Sequence, residues 1–281
     1  MPTSDPSSPI RFYDIGMRPP VEKNACSPNP WKARLALNFK GVPLSTTWVP
    51  LPDVSKVRNS LKVPAVRKFG DGSDFFTLPI IEDPNTEELV GDSFDIAAYL
   101  QKTYPDSGAG DLFPPLTLDY KFENTIHIPL TESRENLFPE YTEYARFNVH
   151  VDAAFSTHVQ LAVKFLPFDP ACEDICKAEF VRRTGGFVKS WEEFAIEGEA
   201  REKLLASFRD TLGGLAELFK KDTSGPFILG TRACYADIIV GGWLRNMRAT
   251  LPENEWEELR SWHEGIFGRL HDALEVYADM K

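Results

Sequence analysis

The chain has 281 residues and 42% hydrophobic content, enough to fill one large core or two ordinary ones, which excludes a disordered chain. Its 42 acidic against 31 basic residues leave a net charge of -11, and no basic stripe is present to follow a nucleic-acid backbone. No apolar run approaches the roughly 20 residues of a membrane span, and Met1 to Pro9 shows neither a basic opening nor an apolar segment. A cytoplasmic protein with a frayed tail over residues 1–9 is expected, with neither nucleic acid nor membrane as partner.

Four cysteines, Cys26, Cys172, Cys176 and Cys234, are too few for a disulfide framework in a chain this long. Cys172 and Cys176 stand one helical turn apart, but no second Cys or His pair completes a tetrahedral zinc site, so they read as two partly buried thiols on a helix. His127, His150, His158, His263 and His271 show no metal or triad spacing, and no metal is expected.

The first hundred residues mix strand and helix patterns. Arg11 to Ile15 alternates like a strand, and Pro28 to Lys40 reads as a helix with Trp31, Leu35 and Phe39 four apart and Gly41 as its stop. Ser45 to Leu51 reads as the next strand. Residues 52–74 read as a long irregular connection. Thr77 to Glu82 and Glu88 to Gly91 form a hairpin across Asp83-Pro84-Asn85, and a helix follows from Ser93 to about Thr103. That order is the order of a thioredoxin-like α/β domain, placed at residues 10–104. A linker over 105–116 then leads to an all-helical domain, 117–281, with apolar residues at helical spacing in 147–165, 180–196, 204–219, 238–247 and 262–277.

Three places carry chemistry. Ser27 precedes Pro28 at the start of the first helix: it reads either as a plain N-cap or as a hydroxyl that, with the helix dipole, lowers the pKa of a thiol placed above it. In Leu78-Pro79, a proline opening a buried strand is a candidate cis bond. The Leu78 backbone would then face outward to pair with a peptide-like ligand; an ordinary trans proline is the alternative. Asp92-Ser93, at a strand-to-helix junction, offers a carboxylate beside an anion-binding helix start, or simple capping by Ser93.

In this order and spacing the three features resemble the glutathione transferase superfamily over almost the whole chain. Gly230 to Asp237 looks like that family's capped buried helix, with Cys234 where Ser or Thr usually stands. Ser27 to Lys32, Leu35 to Gly41 and Thr47 to Val49 resemble the fungal etherase-related, FuA-type branch, which is similar to bacterial β-etherases. The resemblance implies glutathione transferase architecture and activity, with Ser27 assisting the glutathione thiolate and Leu78 and Pro79 facing the cysteinyl unit. Asp92 and Ser93 would hold the γ-glutamyl end. It further implies an aromatic second substrate and a homodimer. Lys56 and Arg58 are candidate partners of the glutathione carboxylates. Trp31, Tyr141, Tyr144, Phe147 and Phe155 are candidates for the hydrophobic substrate site, with Phe122 and Phe165 as further aromatic surface. Two other readings compete: Cys26 as a redox thiol for deglutathionylation, as in the omega class, and a ligandin that stores phenolics with little turnover.

Overall fold

A computed structural model describes residues 8–123 and 133–280. The expected tail lies outside them apart from Ser8 and Pro9, and so does His127. The first domain runs β1 (Ile10–Gly16), a single turn α1 (Val21–Asn24), α2 (Pro28–Phe39), β2 (Leu44–Pro50), α3 (Val54–Ser60), a ribbon of β3 (Arg67–Lys68) and β4 (Asp74–Phe75), β5 (Ile80–Asp83), β6 (Glu88–Val90) and α4 (Ser93–Thr103). Four strands form a mixed sheet in the order β2-β1-β5-β6, parallel between β1 and β2 and antiparallel elsewhere. β1 lies inside this sheet with both faces covered, which is why its burial does not alternate.

Helix α2 is buried on almost every side, between the sheet and the helical domain. Each of its buried charges is answered. Arg34 pairs with Asp14 at 2.9 Å and lies over the Phe12 and Trp48 rings. Lys40 donates to the carbonyls of Pro105 and Gly110, and Lys32 pairs with Asp152 of the helical domain. Gly41, with φ of 63°, ends the helix as its sequence predicts.

The helical domain contains α5 (Thr142–Thr157), a short α6 (Gln160–Val163), α7 (Glu173–Arg183), α8 (Gly198–Phe219), α9 (Tyr235–Thr250) and α10 (Glu253–Ala273). A cluster of buried side chains, including Leu35, Phe94, Phe155, Tyr235 and Trp256, runs through both domains. α9 packs closely on the start of α2: a Cβ on Gly242 would stand 2.8 Å from the Pro28 carbonyl oxygen, so glycine lets the two backbones approach. The end of Asp237 in the buried capping box of α9 accepts from the Cys234 N–H at 2.8 Å and the Ile228 N–H at 2.9 Å.

Three sequence expectations change. The connection over 52–74 is structured, holding a 3-10 turn at Leu51–Asp53, α3 and the β3–β4 ribbon. The helical spacing over 180–196 covers two elements, because α7 stops at Arg183, Gly185 and Gly186 turn the chain with φ of 64° and 89°, and a 3-10 turn, Trp191–Phe194, follows. The spacing over 147–165 likewise breaks at His158, the C-cap of α5.

Candidate functional site

A cavity of about 520 Å³ opens between the two domains. Its first-domain wall comes from Ile15, Ser27 to Asn29, Val54, the ribbon residues Arg67 and Phe75, and Thr77-Leu78. Its second-domain wall comes from the end of α5 with Asp152 and Ser156, from Phe180 and Arg183 on α7, and from Phe187, Phe194 and Trp243. A side pocket of about 140 Å³ shares Ser27, Pro28, Phe180 and Arg183 with it and is closed behind by Met17, Cys26, Leu51 and Asn246.

Ser27 is the N-cap residue of α2, with φ of -68° and ψ of 125°, yet its side chain makes no capping hydrogen bond. The hydroxyl therefore belongs to the cavity rather than to the helix. Proline at positions 28 and 30 removes two first-turn donors, and the Trp31 N–H donates to the Ser27 carbonyl at 3.1 Å. The Asn29 N–H is thus the first-turn donor left beside Ser27, fewer than a helix start ordinarily offers. Cys26 lies at the back of the side pocket and outside the main cavity lining: it is 1% exposed, its carbonyl accepts from Asn246 Nδ2 at 2.8 Å, and burial, with the Asp14 charge, pushes its thiol well above the ordinary range.

The Leu78–Pro79 bond is cis. Leu78 lines the cavity and stands outside the sheet ladder, which begins at Ile80. A second cis bond joins Pro19 to Pro20. At the third place Asp92, not Ser93, is the N-cap of α4: its Oδ1 accepts from the Phe94 N–H at 2.9 Å. Ser93 is 2% exposed, and its carbonyl accepts from the Tyr235 hydroxyl at 2.9 Å. This corner lies outside the set of residues that line the cavity.

The two basic candidates do not reach the cavity. Lys56 is exposed on the outer face of α3. Arg58 is fully buried and donates to the carbonyls of Thr77 at 2.5 Å, Pro64 at 2.6 Å and Val63 at 3.4 Å, which ties α3 to the approach of the cis bond. The basic residue that does reach the cavity from the first domain is Arg67 on the ribbon, close enough to Asp152 and Asp92 to feel both charges. Nothing in the sequence marks it, because the two-residue strands of the ribbon are too short to show a period.

The aromatic candidates are core. Trp31 is 6% exposed and donates its ring N–H to the Ala25 carbonyl, Tyr144 donates its hydroxyl to the Pro114 carbonyl, and Tyr141 stacks on Phe113. Phe147 and Phe155 are both 0% exposed, Phe155 lying one layer behind the cavity against Trp243. Phe122 packs against the same core, and Phe165 lies on the surface beneath Arg201. The helical spacing that suggested these residues is the spacing of a buried face. The aromatic surface of the cavity comes from Phe75, Phe180, Phe187, Phe194 and Trp243. Two stacks draw the ribbon and α7 together over it, Arg182 on Phe69 and Arg183 on Phe75.

A thioredoxin-like domain whose cis-proline and first helix start open onto a cavity walled by a helical domain has the architecture of a glutathione transferase. Residues 26–103 match the glutathione S-transferase N-terminal domain, and residues 151–277 match the glutathione S-transferase C-terminal domain. The chain belongs to the glutathione transferase superfamily. It is similar to the glutathione S-transferase CsGST63524 of Ceriporiopsis subvermispora, solved in complex with glutathione, at 29% identity and a TM-score of 0.75 over 98% of this chain and 99% of that one. It is also similar to glutathione transferase GSTFuA2 of Phanerochaete chrysosporium, at 26% identity and a TM-score of 0.76 over 98% and 100% of the two chains. The glutathione S-transferase-like protein ustS of Aspergillus flavus is 28% identical over 96% of this chain and 91% of its own length. Among the described residues no helix is long and apolar enough to cross a membrane.

Proposed function

We propose that the protein binds glutathione along the first-domain wall and uses the Ser27 hydroxyl to favour the thiolate, which attacks an apolar aromatic electrophile held against Phe180, Phe187, Phe194 and Trp243. The observation that carries this reading is the Ser27 side chain, at a helix start, free of its capping bond and on the cavity wall. A hydroxyl donating to a thiolate stabilises the charged form, and a shift of about two pKa units requires only about 2.7 kcal/mol. Leu78, beside the cis bond, supplies backbone groups for the cysteinyl unit. The family resemblance, rather than the cavity lining, is what assigns the γ-glutamyl end to Asp92 and Ser93. Arg67, in place of Lys56 or Arg58, is the cation for a glutathione carboxylate. The similarity to a transferase solved with glutathione supports the ligand. The resemblance of Ser27 to Lys32 and Leu35 to Gly41 to the etherase-related branch supports an etherase-related substrate range, and the family resemblance supports a homodimer.

The experiment is conjugation of glutathione to 1-chloro-2,4-dinitrobenzene across pH. Ser27→Ala is expected to lower kcat/KM at neutral pH by about tenfold to a hundredfold and to move the acid limb upward by about one to two units. Cys26→Ser is expected to leave both unchanged, because that thiol is buried and held protonated. Loss of activity with Cys26→Ser alone would assign the chemistry to the redox reading. Tight, glutathione-independent binding of phenolics with negligible conjugation would assign it to storage.

A further inference from the structure

Away from Ser27, the two cysteines that begin α7 are brought together. Cys172 is the N-cap of α7 and Cys176 lies one turn on, the Cys176 N–H donating to the Cys172 carbonyl at 2.9 Å. Their sulfurs stand 3.5 Å apart, and neither is in a disulfide. Four residues of helical rise separate the Cα atoms by about 6 Å, inside the span that a disulfide bridges. The pair is unequal: Cys172 is half-buried at the surface, whereas Cys176 is 2% exposed in a cluster with Phe168, Trp191 and Phe194.

We infer that Cys172 and Cys176 form a dithiol that reacts with a low-mass disulfide of the oxidised-glutathione type and closes into a reversible intramolecular disulfide at the root of α7. The inference is independent of Ser27 and of any ligand in the cavity. Cys172, half-buried and the more accessible of the two sulfurs, is the one that attacks, as its thiolate. It displaces one glutathione thiolate and forms a mixed disulfide. Cys176 then passes its proton to the departing thiolate, attacks the Cys172 sulfur and expels the second glutathione. Two protein thiols are oxidised, one glutathione disulfide is reduced, and two glutathione thiols leave. Burial and the neighbouring Cys172 push the Cys176 thiol up to about 12, so Cys176 is not the sulfur that attacks first. The far end of α7 supplies Phe180 and Arg183 to the cavity, so the bond forms at the root of a helix that walls the cavity, outside the lining itself.

The test exposes the full-length protein to oxidised glutathione, alkylates the remaining thiols and reads the intact mass and peptide map. The expected product has lost two hydrogens, shows residues 172 and 176 joined and protected, and is restored by excess reduced glutathione. Cys176→Ser is expected to stop at one glutathionyl group on Cys172, and Cys172→Ser to take up neither modification. Thermal unfolding of both variants close to that of the parent shows that the fold is intact. A protein that carries neither bond nor glutathionyl group, with all four cysteines alkylated, would overturn the inference. So would a parent protein that keeps its glutathionyl group without closing, or a bond that uses Cys26 or Cys234.

Discussion

Lys32, one turn into α2, donates to Asp152 on α5 with no part of its side chain exposed, so the helix that begins at Ser27 is tied to the helical domain at the cavity wall. Asn148 accepts a second Lys32 hydrogen bond at 2.9 Å, and the Trp243 ring N–H donates to Asp152 at 2.6 Å. Breaking a buried pair leaves one charge without its counterion. Lys32→Met is expected to cost about 3–5 kcal/mol in urea unfolding. The double variant Lys32→Met, Asp152→Leu should cost less than the two single changes added together, since it removes both charges. Simple additivity would show that the two side chains do not act as a pair.

Arg67 is the basic side chain that the ribbon brings to the cavity from the first domain. A charge-assisted hydrogen bond lost from a ligand carboxylate costs about 1.5–3 kcal/mol. Arg67→Gln is therefore expected to weaken glutathione binding by about tenfold to a hundredfold in calorimetry. Lys56→Gln should leave it unchanged. Arg58→Met should lower the melting temperature, because three backbone carbonyls lose their donor.

The structure divides the aromatic side chains into core and cavity. Phe155→Ala, within the core, is expected to destabilise the fold by about 3–5 kcal/mol. Phe187 is 78% exposed at the cavity rim, so Phe187→Ala should change stability by no more than about 0.5 kcal/mol while raising KM for an aromatic electrophile several-fold. An unaltered KM would remove Phe187 from the second-substrate wall.

Asp237 supplies a pH signature. Burial lifts its carboxyl from 3.8 to about 6, against the pull of the Ile228 and Cys234 N–H donors. Between those values the folded protein keeps a proton that the unfolded chain has released, so the contribution to stability is complete below about 4 and is lost as pH rises through about 6. The loss amounts to about 3 kcal/mol. The stability difference between the parent and Asp237→Asn, measured by urea unfolding from pH 4 to 7, should move against the parent by about that amount as pH rises. A difference that stays flat would mean that the carboxyl titrates alike in both states.

Helix starts, strand starts and turns are written in neighbouring residues. Ser27 before Pro28, Leu78 before Pro79 and Asp92 before Ser93 were accordingly legible along with the strand and helix order. The ribbon was not, because Arg67-Lys68 and Asp74-Phe75 are too short to show a period, and α7 merged with the following 3-10 turn because apolar spacing continued past Gly185 and Gly186.

What the chain determines by itself, then, is a mixed α/β unit followed by helices, with a hydroxyl before a helix, a proline opening a strand and an acidic-hydroxyl pair at the junctions; that the Leu78–Pro79 bond is cis and that Asp92 rather than Ser93 caps α4 belong to the structure. Which side chains face the cavity is decided only when the two domains pack. Aromatic periodicity marks a buried face without saying what covers it, so Phe147 and Phe155 became core while Phe180 and Phe187 became wall. The same packing spends Arg58 on backbone carbonyls and brings Arg67 to the cavity, a choice made by contacts far apart in sequence.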